Sequence, residues 1–182
     1  MLNRGHGAGG ANTNKNGLPY EILTDLESEY EKVATKNCKH TYDIRFHVDE
    51  DEIFIVTKQS SLFKVMDKHI NKNVTKAHGC KNPDECFIHE KSKSIFIIEK
   101  KFQQISGSVC EKIQTSHFKK WQYSRTFPEY NIHYVYCLSG WFKENCKAEI
   151  EYLIEVGNVP VFWGNSLTYK QDIIAYILEH CK

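Results

Sequence analysis

The sequence predicts a single α/β domain built on a central mixed sheet of about five strands with helices flanking it. Three observations lead there. The 182 residues are 41% apolar and 13% aromatic, enough for one sizeable core and too apolar for disorder. The C-terminal half runs hairpin, helix, strand, helix, strand, helix, an order that needs a mixed sheet covered on both faces. No stretch approaches the roughly 20 consecutive apolar residues of a membrane span. No membrane role is expected.

Residues 1–17 form a polar Gly/Asn-rich arm, and residues 18–182 the domain. The arm contains a GxGxxG, Gly5 to Gly10, but no strand precedes it and no helix follows directly, so it is not a dinucleotide loop. The arm also lacks the apolar middle of a secretory signal, which predicts a cytoplasmic protein.

From Tyr20 to about Lys36, the spacing of Ile22, Leu23, Leu26, Tyr30 and Val33 predicts a helix with acids on its other face. Strands follow at 42–47 and 53–57 around an acidic turn, then a short helix from Ser61 to Ile70 and a polar loop. Two short runs, 86–90 and 95–101, separated by Lys-Ser-Lys-Ser, form a hairpin. Gly107-Ser108 opens a long helix to about Phe127, ended by Pro128. A buried strand at 132–138, a helix at 143–156 closed by Gly157 and a strand at 159–163 follow. The final helix, 168–180, turns Ile173, Ile174, Ile177 and Leu178 inward. Seven cysteines, an odd number scattered along the chain, fit reduced thiols.

The hairpin carries the chemistry. With Glu90 paired to Ile95 across a four-residue turn, Asp84 lies opposite Lys101 and Cys86 opposite Glu99. Alternation then puts Asp84, Glu99 and Lys101 on one face, within roughly 5–7 Å of one another. Two carboxylates this close bind a hard divalent cation such as Mg²⁺, which stabilises charge on a phosphorane and acidifies a bound water. The lysine positions that water and offsets the growing charge. The apolar strand running into Glu99 embeds these charges at a sheet end, unlike the solvated charges of an ordinary surface hairpin.

Pro83-Asp84, fourteen residues, then Glu99-x-Lys101 resembles the PD-(D/E)xK nuclease superfamily and, within it, the type II restriction endonucleases. Gln103 extends the motif to the ExKxQ of the EcoRI-like branch. Gly107 to Lys112 is similar to that branch's helix start, whose polar residues read bases, with Ser108 and Lys112 replacing Asn and Arg. Glu21 resembles the first-helix glutamate that approaches the metals. The resemblance implies a restriction endonuclease-like fold and a Mg²⁺-dependent endonuclease, with Mn²⁺ able to substitute. Asp84 and Glu99 would hold the metal, Lys101 the water, and Glu21 or Glu111 would support the site. Double-stranded DNA is the implied partner and a homodimer the implied form, since a palindromic target matches a two-fold protein.

Net charge is only +1, but residues 100–125 hold six Lys/Arg against one acid, Glu111. Gln103, Ser108, Glu111, Lys112 and Gln114 carry donors and acceptors for base edges, and Lys119, Lys120 and Arg125 can contact phosphates. Glu111 equally suits a plain helix start, where an acid complements the dipole. Two other classes stand beside this reading. One is a structure-specific or repair nuclease on the same core. The other is a non-catalytic zinc- or DNA-binding module, for which His78, Cys80, Cys86 and His89 supply ligand types, although alternation puts Cys86 and His89 on opposite faces.

Overall fold

The computed structural model describes residues 18–70, 74–104 and 109–182. The arm at 1–17, with its GxGxxG, and the Gly107-Ser108 helix start lie outside them. The described chain is one α/β unit around a seven-stranded sheet in the order β1-β2-β3-β4-β5-β6-β7, two strands more than expected. Its strands are β1 (Tyr30–Thr35), β2 (Tyr42–Phe46), β3 (Phe54–Thr57), β4 (Glu85–His89), β5 (Ser94–Lys101), β6 (Asn131–Leu138) and β7 (Val161–Trp163). Strands β1 to β5 pair antiparallel, whereas β5-β6 and β6-β7 are parallel, the crossovers being helical. Among the described residues, no helix is long and apolar enough to cross a membrane.

The helix expected from Tyr20 to Lys36 is corrected. A short helix, α1, covers only 18–23, and the chain then opens into edge strand β1. Leu26 and Tyr30 are buried as expected, but Ile22, Leu23 and Val33 are exposed. The acids that suggested a helix's solvent face instead decorate an edge strand. Glu31 pairs with Arg45 and Lys32 with Glu27, charges that block further strand addition.

Odd and even positions of β5 divide the core. Ile95 and Ile97 face a layer of α2 (Ser61–Val65), α3 (Val109–Gln114), α4 (Ser116–Thr126), α5 (Trp141–Asn145) and α6 (Lys147–Glu155), through Leu62, Ile113, Tyr123, Phe142 and Leu153. Phe96 and Ile98 face α7 (Tyr169–His180) and the N-terminal segment, through Ile173, Ile177, Leu26 and Tyr30. Burying both faces explains the near-continuous apolar run of β5.

The helix expected from Gly107 to Phe127 breaks into α3 and α4 at Thr115, whose hydroxyl turns back to the Lys112 carbonyl at 2.8 Å. The helix expected over 143–156 breaks at Cys146 into α5 and α6. Cys146 is bonded to Cys110, with Cα atoms 5.7 Å apart, so the expectation of reduced thiols fails for this pair. The other five cysteines are thiols. Thirty-six residues separate the bonded pair, and only the packing of α3 on α6 brings them together.

Candidate active site

The hairpin pairs His89 with Ser94 and Glu85 with Ile98, so the register differs by two residues from the expected Glu90–Ile95 pairing. The turn sets it. Lys93 takes a positive φ of 52°, and the Ser92 hydroxyl bridges His89 Nδ1 at 2.7 Å and Ser94 Oγ at 3.0 Å. Those polar contacts close the turn one residue earlier on each strand. Because the shift is even, every side chain keeps its face. Continued one step, the register sets Asp84 across from Glu99 and makes Lys101 the diagonal neighbour, not the facing one.

The triad converges. Lys101 Nζ lies 2.8 Å from Glu99 Oε1, 3.4 Å from Asp84 Oδ2 and 2.9 Å from the Lys100 carbonyl. Asp84 Oδ2 also accepts the Lys100 amide at 2.7 Å, which fixes the carboxylate against the strand. Glu99 Oε1 takes a second ammonium, Lys119 Nζ, at 3.0 Å. Sequence reasoning placed Lys119 among outer phosphate contacts, but the structure places it inside the site. The signal was present: Ser116, Lys119, Tyr123 and Thr126 recur at helical spacing, and Lys119 is the charged member of that inward stripe.

Electrostatics separate the two carboxylates. Burial and the Glu99 charge raise the Asp84 pKa above its ordinary value, against the pull of Lys101. Burial acts on Glu99 in the same direction, but Lys101 and Lys119 outweigh it and bring Glu99 below its ordinary value. Burial opposes the charge of Lys101, which Glu99 and Asp84 nevertheless hold above the usual lysine pKa. Burial, then the nearby Asp84 charge, raises Glu21. Glu21, on α1, is thus within electrostatic reach of the triad.

Packing holds each part. Tyr20 anchors α1, its ring 5.3 Å from that of Phe102 and its hydroxyl 3.8 Å from Cys137 Sγ. A Cβ on Gly164 would overlap that hydroxyl, which is why this position has no side chain. On the opposite face of the sheet, Lys100 Nζ sits 2.9 Å from Glu85 Oε2 and donates to the Glu21 carbonyl at 3.2 Å. Both side chains are almost fully buried, and the Glu85 oxygens have no aligned hydrogen-bond donor. This pair, missed in the sequence, is the diagonal counterpart of Asp84 and Lys101. Helix α4 fixes the approach to Asp84: Gln122 donates to the His78 carbonyl at 2.8 Å and Tyr123 to that of Lys81 at 2.9 Å. Past Lys101, the Gln103 backbone is clasped by the Ser139 hydroxyl at 3.1 and 3.2 Å.

The remaining residues singled out in the sequence lie farther off. Glu111 and Lys112 are exposed on α3. Gln114 reaches Glu149 on α6 at 3.3 Å, across an open groove of about 420 Å³. Lys120 is half-buried and Arg125 exposed on α4. The zinc set does not assemble. His89 pairs with Glu52 at 2.9 Å and stacks near Phe54, while Cys86 is buried in the opposite half of the core and His78 is exposed. The Cys/His/Asp/Glu group that does gather among the described residues is Cys110, Cys146 and Glu149, and its sulfurs are joined in the disulfide.

The Lys101 ammonium marks a point shared by two carboxylate oxygens and one main-chain carbonyl. Asp84, Glu99 and the Lys100 carbonyl are hard oxygen donors of the kind Mg²⁺ or Mn²⁺ takes, and in this structure Lys101 and Lys119 balance the two carboxylate charges. No family model matches the chain, and no curated protein or solved structure matches it.

Proposed function

We propose that this protein is a Mg²⁺-dependent, sequence-specific endonuclease of double-stranded DNA, a type II restriction enzyme on a restriction endonuclease-like core that acts as a homodimer. The supporting observation is the oxygen shell around Lys101 Nζ: Glu99 Oε1 at 2.8 Å, the Lys100 carbonyl at 2.9 Å and Asp84 Oδ2 at 3.4 Å. Asp84 and Glu99 hold the cation, and Mn²⁺ can replace it. When bound, Mg²⁺ supplies positive charge to the phosphate and acidifies water. Lys101 orients the attacking water and offsets the charge that builds on the phosphate oxygens. Water adds to phosphorus, the bond to one sugar oxygen breaks, and a phosphate monoester and a hydroxyl result. Lys119 holds Glu99 ionised, and Glu21 is a supporting carboxylate that feels the Asp84 charge. Gln103, Glu111, Lys112 and Gln114 read base edges in this reading, with Lys120 and Arg125 on phosphates, and Ser108 lies outside the described residues.

Digestion of a long sequenced DNA with Mg²⁺, followed by sequencing of the fragment ends, tests it. One palindromic site at every end is the expected result. Random ends would reject sequence specificity, and intact DNA would reject the activity.

A further inference from the structure

Helix α4 is inside out. It buries Ser116, Gln122, Tyr123 and Thr126 against the sheet and leaves Phe118 59% and Trp121 55% exposed. A surface helix ordinarily does the reverse, with large apolar rings inward and hydroxyls outward. The two rings stack on each other, centroids 5.7 Å apart and planes 22° from parallel. Their i, i+3 spacing puts them on one stripe, which Arg125 continues at i+7. The helix carries Lys119, Lys120 and Arg125 and no carboxylate. Lys119, one residue from Phe118, touches Glu99 in the candidate centre at 3.0 Å.

We propose that Phe118 and Trp121 are a stacking platform for unpaired nucleobases, which holds a single-stranded stretch of DNA on the outer face of α4, the helix whose inner face carries Lys119 to the Asp84–Glu99–Lys101 centre. The proposal rests on reading that centre as one that acts on DNA. Exposed aromatic faces interleaved with cations are what single strands bind: the charges follow the backbone and the rings take bases irrespective of sequence. With Lys119 paired to Glu99, Lys120 and Arg125 are the cations beside the rings, and they favour a polyanion over a protein partner. Lys119 points inward to Glu99 while Phe118 and Trp121 point outward, so the rings and the centre lie on different faces of the same helix. In a duplex those bases are stacked away, so the platform requires strands already separated or opened on binding.

Full-length protein in EDTA, where no cutting occurs, is titrated with a labelled oligothymidylate of about 16 nucleotides and with a duplex of the same length. The single strand should bind and quench tryptophan emission, and Trp121→Phe should remove most of the quenching. Phe118→Ala and Trp121→Ala should each weaken the single strand by roughly 5- to 100-fold. Both side chains are mostly exposed, so neither truncation opens a core cavity. Lys120→Ala should weaken single strand and duplex alike. No binding or quenching by the wild type would overturn the platform, as would unchanged single-strand affinity in both alanine variants. A Trp121→Ala protein that loses self-association instead of DNA affinity would identify the face as a contact between copies and also overturn it. If quenching appears but Mg²⁺ supports no cutting of any DNA, the nuclease reading fails and the platform stands. If DNA is cut while both variants bind single strands normally, the platform alone fails.

Discussion

Asp84 and Glu99 are both withdrawn from water, and their pKa values move in opposite directions because of what faces each. Glu99 meets two ammonium groups, Lys101 and Lys119, whereas Asp84 meets one at a longer distance and faces Glu99. On acidification Asp84 therefore takes a proton at higher pH than an ordinary aspartate, and in the proposed site the cation would lose a ligand. Mn²⁺ affinity, followed by calorimetry, should fall while the pH is still above 3.8, the ordinary aspartate value. Affinity that stays level down to that pH would contradict the assignment. Lys119→Met removes one of the charges that hold Glu99 down, so the Glu99 pKa should rise and the acid limb should move to higher pH. Beneath the site, Glu85→Ala would strand the buried Lys100 ammonium, at a cost of about 3–5 kcal/mol in urea unfolding. Replacing both, Glu85→Leu with Lys100→Met, should recover most of that loss, since a buried pair is often no better than an apolar one. A single-variant loss below about 1 kcal/mol would mean that the pair is solvated.

In the proposed enzyme, α3 and α4 divide the work around the centre. Lys120 is half-buried and Arg125 exposed on α4, neither reaching Glu99 as Lys119 does, so alanine at either should lower the salt slope of DNA binding by roughly one unit. Alanine at Lys119 should leave that slope nearly unchanged and slow turnover, because its charge is already spent on Glu99. Reduction of Cys110–Cys146 frees α3 from the α5–α6 junction. Loss of a cross-link over 36 residues should cost about 2–4 kcal/mol of stability, read as a lower urea midpoint. The face of the triad was legible in the sequence, because alternation fixes it whatever the even register. The pairing itself was not, since it depends on Ser92 and Lys93 in the turn. Edge strand β1 was misread as helix because exposed positions of either element are charged, and Ile22 and Leu23 mimic a buried stripe while lying in solvent. The breaks at Thr115 and Cys146 were hidden for a similar reason: apolar spacing survives a one-residue kink, and a contact over 36 residues leaves no local pattern.

Across the whole molecule, the sheet changes character at β5, antiparallel toward β4 and parallel toward β6. The triad sits at that strand's C-terminal end, where Glu99 runs beside Tyr136 and Lys101 beside Leu138. The centre is thus held by the best-buried strands, with α1, α4 and the segment before Asp84 closing around it. In solution, a homodimer is expected on a palindromic target, each subunit cutting one strand. In the proposed mechanism the carboxylates bind the cation and Lys101 completes the chemistry. Relaxation of supercoiled plasmid by wild type and Lys101→Met at matched Mg²⁺, with Mn²⁺ affinity measured on both proteins, separates these two roles. Nicked and linear products are expected from the wild type, with cutting by Lys101→Met at least about 100-fold slower and Mn²⁺ binding retained in both. Cutting by Lys101→Met at near wild-type rate, or a wild type that binds no Mn²⁺, would contradict it.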